Sequence, residues 1–221
     1  HLERILAQAS VLALANQAIV TDEILAEAFE RVTHGEAKES KDALRTARHE
    51  AGHALLMCLM GSPPIYVTIV GRGSFGGYAA FDADERHGAK TKLEMENLIC
   101  QALGGREAER LSYGEGAGES TGPAADLEYA TQLADAMVCR YGMSEELGFV
   151  HMTSNHPLPA ALDEQRYRAI RRIIESQSER AAQLLQEHRS SFDRVVEALV
   201  DRSRLLRAEM LALLTDAERR S

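Results

Sequence analysis

Tryptophan is absent from this chain and aromatic residues make up only 5% of it. Alanine and leucine dominate instead, a bias that favours helix over sheet. Cysteine is scarce: Cys58, Cys100 and Cys139 are odd in number and widely spaced. That excludes a disulfide framework and a C-x-x-C site, and leaves the three as buried small hydrophobes in a reducing compartment. Positive charge is also lacking. Lys plus Arg number 25 against 34 for Asp plus Glu, a net charge of −9 with no basic block. Phosphate binding rests on clustered Lys and Arg, so nucleic acid is a poor partner. No apolar run approaches the roughly 18 residues that span a bilayer, and no signal-peptide pattern is present. The sequence opens on His1 rather than Met, so it is read as a cut fragment, which leaves a targeting or membrane segment outside it open.

What remains is ordinary globular material: 221 residues, 45% hydrophobic and 27% charged. The length suits one large domain or two small ones, and the composition argues against disorder. Residues 1–34 read as two helices. The first carries Leu2, Ile5, Leu6, Ala9 and Leu12 at helical spacing. The second is capped by Thr21, has Asp22 and Glu23 in its positive first turn, and stops at Gly35. Residues 36–40 are small and polar and mark a boundary. A helix over about 41–60, capped by Ser40, breaks at Gly61-Ser62-Pro63-Pro64. Ile65 to Val70 reads as a strand, the glycine-rich stretch 71–77 as a turn, and Tyr78 to Phe81 as the returning strand. Gly71 to Gly76 match G-x-G-x-x-G in letters, but no helix follows, so a dinucleotide site is rejected. Thr91 to Glu94 form a capping box that opens a helix to about Leu111. Gly104-Gly105 weaken that helix unless another backbone packs close there. After a loop over 112–122, Pro123 suits a first helical position, and a helix runs to Gly142. Residues 162–188, 191–202 and 204–214 read as helices, the middle one capped by Ser190 or Ser191. The fold class is therefore mainly α, with a small antiparallel sheet.

One constellation carries chemistry. His49-Glu50-Ala51-Gly52-His53 is an H-E-x-x-H motif. Helical residues four apart lie one turn apart on one face, so both imidazoles can hold one metal ion. Glu50 can sit beside a water on that metal and take its proton, and the metal brings that water's pKa to roughly 7. Two His and a Glu at this spacing also arise by chance in charged helices. Residues 51–60 (AGHALLMCLM), however, are apolar nearly all round, and a buried His must be hydrogen-bonded or ligated.

A catalytic zinc needs a third protein ligand and one open position. No third His follows shortly after His53, so a carboxylate from a later segment is the natural candidate. Asp126 shares a helix face with Ala130, Leu133 and Met137 and points inward, whereas Glu128 shares one with Gln132 and Asp135 and points to solvent. Glu109 shares a face with Leu98 and Ala102 and is a second inward candidate. The pattern favours Asp126 and leaves both open.

Four segments then resemble the peptidase domain of the FtsH-like AAA+ metalloproteases. Arg45 to Ala54 (RTARHEAGHA) resembles their zinc helix, and Gly104 to Glu109 (GGREAE) their G-G-R-x-A-E segment. Ser120 to Leu127 (STGPAADL) resembles their T-G-A-x-x-D-L segment, and Tyr141-Gly142-Met143-Ser144 with Leu147-Gly148 their Y-G-M-S…L-G. The likeness covers about residues 41–214, while 1–35 look like the last helices of an ATPase lid. It implies zinc, one per chain, on His49, His53 and Asp126, with Glu50 as general base and Glu109 as a structural neighbour of the ligands. It implies an edge strand that pairs with extended substrate, which falls on Ile65, Val67 and Ile69. It further implies a homo-hexamer, an upstream ATPase domain that alone uses ATP, unfolded or misfolded proteins as substrates, and a membrane-anchored full-length protein working on the cytoplasmic face. Pro123 departs from the family's usual Ala, and 149–162 departs from its pattern. His151 and His156 read as loop residues. The competing readings are a helical oligomerisation module with a structural or degenerate metal site, and a free-standing metallopeptidase.

Overall fold

The computed structural model describes residues 1–38, 42–73, 76–80, 88–152 and 159–214. Among them the chain runs α1 (Leu2–Ala15), α2 (Asp22–His34), β1 (Ala37–Lys38), α3 (Ala43–Leu59), β2 (Tyr66–Thr68), β3 (Gly71–Arg72) and β4 (Tyr78–Ala80). It continues through α4 (Lys92–Tyr113), α5 (Ala124–Cys139), α6 (Ala160–Glu187), α7 (Arg189–Arg202), β5 (Arg204–Leu206) and α8 (Arg207–Leu213). The fold is mainly α with small antiparallel sheets, as the composition predicts.

The centre of the molecule is the crossing of α3 and α4. A Cβ on Gly52 would lie 2.4 Å from the Gly104 carbonyl oxygen and 2.6 Å from the Ala108 Cβ, so the two backbones nearly touch. This is the close backbone neighbour that Gly104-Gly105 require. Two hydrophobic cores flank the crossing. One joins Leu55 and Leu56 of α3 to Val67 of β2, Leu185 of α6, and Phe192, Val195 and Leu199 of α7. The other joins Ile99 and Leu103 of α4 to Ala134 and Met137 of α5 and Ile170 of α6. Helix α6 is long enough, at 28 residues, to serve both. Each fully buried Leu, Ile or Phe contributes about 1.5–3 kcal/mol.

Local signals set several boundaries as expected. The Thr21 hydroxyl accepts from the Ile24 N–H, and Gly35 ends α2 at φ 89°. The Thr91/Glu94 capping box is present in full. The three cysteines are buried free thiols, and burial pushes Cys58 and Cys100 up to about 12. Other expectations need correction. Ser40 lies outside the described residues, and Asp42 caps α3 by accepting from the Arg45 N–H. Pro123 stands at the cap of α5, one place before its first turn. His188, not Ser190 or Ser191, stands at the start of α7. Residues 204–206 form strand β5 rather than the start of a helix. Ser203 adopts φ 63° and stops α7, and the next three residues pair with β2. Leucine's helix preference is overridden there by sheet hydrogen bonds and by burial of Leu205. Phe81 and His156 lie outside the described residues.

The largest correction concerns the strand expected to bind substrate. The order of the three-stranded sheet is β4-β2-β5, so β2 is central and has no free edge. Tyr66, Val67 and Thr68 pair with Ala80, Ala79 and Tyr78 on one side and with Leu206, Leu205 and Arg204 on the other. Ile65 and Ile69 are engaged too, through Ala80 and Arg207 and through Ser203. Val67 and Ile69 are buried in the core. The edge beside α3 is β4.

Residues 1–38 are fastened to this body by a buried charge cluster. Glu27 and Glu30 of α2 meet Arg72 of β3 and Arg204 of β5 at 2.6–3.0 Å. Arg72 also donates to the Gly35 carbonyl, and β1 pairs with β3. Removing one member of such a buried pair costs about 3–5 kcal/mol.

Candidate metal centre

Helix α3 presents His49 and His53 on one face, and their Nε2 atoms lie 3.1 Å apart. Asp126, in the first turn of α5, brings Oδ2 to 3.2 Å from His49 Nε2 and 3.5 Å from His53 Nε2. The far side of each ring is fixed. His53 Nδ1 is 2.8 Å from the Gln101 carbonyl oxygen, which can only accept, so that nitrogen carries the hydrogen. His49 Nδ1 is 2.9 Å from Glu109 Oε1 and donates in the same way. In the neutral rings both Nε2 lone pairs then face each other and the Asp126 carboxylate. Three electron-rich atoms converge with no hydrogen between them, an arrangement that calls for a cation.

Without a metal, a proton on His49 supplies that cation. Burial opposes a charged His49, but the carboxylates of Asp126, Glu109 and Glu50 outweigh it and hold its pKa up at about 10. Burial works against the Asp126 carboxylate as well, yet the two imidazoles hold it well below the usual range. Glu50 is almost fully buried, and that burial raises its pKa despite both histidines. A raised carboxylate pKa suits a group that must take a proton and release it.

The space fits as well. A Cβ on Gly105 would lie 2.5 Å from both His49 Nε2 and His53 Nε2, so only glycine leaves that face of the rings free. His49, His53 and Asp126 are the group that can hold a metal among the described residues, leaving a fourth position for solvent or substrate. The site opens into a cavity of about 1010 Å³. Gly76, Gly77, Tyr78 and Ala79 line one side of it, with Met57, Leu98, Ala102 and Tyr129 among the other lining residues.

A family model now decides the kinship: Peptidase family M41 matches residues 36–213. The chain belongs to peptidase family M41. The matched stretch contains every residue of the site described above. Curated relatives named ATP-dependent zinc metalloprotease FtsH match as well. That of Mycobacterium tuberculosis (strain CDC 1551 / Oshkosh) is 33% identical, covering 99% of this chain and 31% of the relative. That of Synechococcus sp. (strain JA-2-3B'a(2-13)) is 32% identical over 98% of this chain and 37% of the relative. FtsH 1 of Thermoanaerobacter sp. (strain X514) is 36% identical over 92% and 36%. The chain thus spans about a third of the length of these relatives.

The structure brings His49, His53, Asp126 and Glu109 together around one point and puts Glu50 in the same cavity. It does not bring Ile65, Val67 or Ile69 into the cavity wall. His151 lies exposed, with Nδ1 3.4 Å from the Arg140 carbonyl oxygen, and does not line the cavity. Sequence reasoning missed the role of Gln101, which acts through its carbonyl and has no side-chain signature. It also passed over Arg45. That residue lies one helical turn before His49 on the same face, a spacing that could have flagged it.

Proposed function

We propose that this chain is the proteolytic part of an ATP-dependent zinc metalloprotease. His49, His53 and Asp126 hold one zinc, and Glu50 is the general base. The convergence of three lone-pair donors beside a buried glutamate in an open cavity carries the reading. Zinc in such a site supplies Lewis acidity toward the scissile carbonyl and lowers the pKa of water to roughly 7. Glu50 takes the proton of the attacking water on its carboxylate and passes it to the nitrogen of the leaving amine. Glu109 and the Gln101 carbonyl hold both imidazoles in the tautomer that presents Nε2. The β4 edge, with Gly76 and Gly77 leading into it, aligns an extended substrate by main-chain hydrogen bonds, which tolerates varied sequences.

Substrates of this kind are unfolded or misfolded polypeptides, membrane proteins among them. The relatives' names and the partial coverage support an upstream ATPase domain that delivers them. Residues 1–35 are read as the closing helices of that domain, 36–40 as the linker and 41–221 as the peptidase, which assembles as a homo-hexamer. In the full-length protein a membrane anchor would set it at the cytoplasmic face. Among the described residues no helix is long and apolar enough to cross a membrane.

The test pairs zinc content with hydrolysis of an unfolded protein. Wild type carries one zinc per chain, Asp126→Ala loses it, and Glu50→Gln keeps it while proteolysis falls by about 10²–10⁴. Proteolysis that survives Glu50→Gln with metal bound would refute the assignment. Zinc that survives Asp126→Ala would move the third ligand elsewhere.

A further inference from the structure

We propose that Arg45 is a positioning residue that ties α3, the helix of the two histidines, to Glu109 of α4 and to the loop that leads to Asp126; the inference rests on the zinc reading above. Its guanidinium reaches both α4 and that loop. Nη1 donates to Glu109 Oε2 at 2.5 Å, on the carboxylate whose other oxygen holds His49 Nδ1. Nη2 donates at 3.0 Å to the carbonyl of Ala117, in the loop between α4 and α5. The guanidinium carbon also lies 4.2 Å from the centroid of the Tyr113 ring, the last residue of α4.

The loop it grips leads to Asp126. Gly114 turns the chain at φ 75°, and the Gly118 N–H donates back to the Gly114 carbonyl at 2.8 Å. A Cβ on Gly118 would lie 2.6 Å from Arg110 Cα, so the loop lies flat on the end of α4. Six residues later α5 begins, with Asp126 in its first turn. Arg45 itself sits on α3, one turn ahead of His49. A single side chain therefore ties the helix of the two imidazoles, the glutamate that orients one of them, and the approach to the third group.

The chemistry requires Arg in this place. Glu109 is only 2% exposed and needs charge-assisted partners on both oxygens. A planar guanidinium spans Glu109 and the Ala117 carbonyl at once, which an ammonium cannot do. Without that fork, Glu109 can turn away from His49 and the loop can lift from α4.

Zinc affinity, read by competition with a chelator at fixed pH, tests the proposal in the whole chain. The set is wild type, Arg45→Ala, Arg45→Lys, Glu109→Gln, and Arg45→Ala combined with Glu109→Gln. Arg45→Ala should weaken zinc binding about 10–100-fold, the usual effect of losing a partner behind a ligating His. Arg45→Lys should fall between, since it keeps the contact with Glu109 and loses Ala117. The double variant should be little weaker than Glu109→Gln alone. Wild-type affinity in Arg45→Ala, or losses that multiply in full in the double variant, would overturn the proposal. Should Arg45→Ala fail to fold, Arg45→Lys decides, and wild-type affinity there overturns it. A wild-type protein that binds no zinc overturns the metal reading and this proposal with it. A zinc-loaded wild type with an indifferent Arg45 overturns this proposal alone.

Discussion

Gly105→Ala places one methyl group where the metal centre can least accept it. The new Cβ would lie 2.4 Å from His49 Cε1 and 2.5 Å from both His49 Nε2 and His53 Nε2. Carbon prefers contacts near 3.5 Å, so the rings must retreat by about 1 Å. The bonds that fix them, at 2.9 Å to Glu109 and 2.8 Å to Gln101, do not survive a displacement of that size. Two effects then compete in the metal-free protein. Alanine favours the helix over glycine by about 0.5–1 kcal/mol. Losing one or both ring bonds costs about 1–3 kcal/mol. The net change is at most about 2.5 kcal/mol, a shift of about 5–10 °C in Tm for a chain of this length. Metal binding has no such compensation. Two of the three donors are displaced, so zinc affinity should fall by at least about 100-fold, or about 2.7 kcal/mol. Chelator competition reads the affinity, and the melting curve of the metal-stripped variant shows that the fold survives. Zinc bound within tenfold of wild type by Gly105→Ala would refute the reasoning, because it would mean that the rings do not need this face open.

Three further outcomes follow from the geometry. Gly77→Ala would set a Cβ 2.6 Å from the Thr68 carbonyl oxygen of β2 and 2.9 and 3.0 Å from Thr46 Cγ2 and Glu50 Cγ of α3, pushing the start of β4 away from both. Cleavage of an unfolded protein should drop while zinc content stays at the wild-type level, and unchanged cleavage would show that β4 need not lie against that helix. Burial works against the Glu27 carboxylate, but Arg31, Arg204 and Arg72 outweigh it and hold its pKa at about 2, below the 4.5 of an unperturbed glutamate. The unfolded chain therefore binds the proton first on acidification. The stability Glu27 provides is full above about pH 4.5 and is lost towards pH 2, so Glu27→Gln should flatten that part of the unfolding-versus-pH curve. All three thiols are buried, so a thiol-specific reagent at pH 8 should modify none of them in the folded protein and all of them in denaturant. Rapid labelling of any one in the native state would contradict its burial.

Much of the helical framework is written locally. Thr21, Gly35, Thr91 and Glu94 set helix ends through bonds that span three or four residues. The H-E-x-x-H spacing puts two imidazoles on one face by helix geometry alone, and paired glycines demand a close neighbour. What the pattern left open was the third group. Asp126 and Glu109 both face inward from their own helices, and periodicity does not say which side of His49 each will meet. The α3–α4 crossing decides that, setting Glu109 on Nδ1 and Asp126 on Nε2. The other failures share that cause. Strand β5 exists because residues 204–206 meet Tyr66 to Thr68, far away in the chain, and this pairing turns β2 from an edge into a centre. His53 is oriented by a main-chain carbonyl, for which any residue at 101 would serve. The sequence by itself determined most of the helices, the caps at Thr21 and Thr91, and the two histidines and glutamate of one motif, because these rest on contacts within a turn or two. The strand order of the sheet, the partner of each ring nitrogen and the grip of Arg45 were decided only by tertiary structure, because they join groups that no local pattern connects.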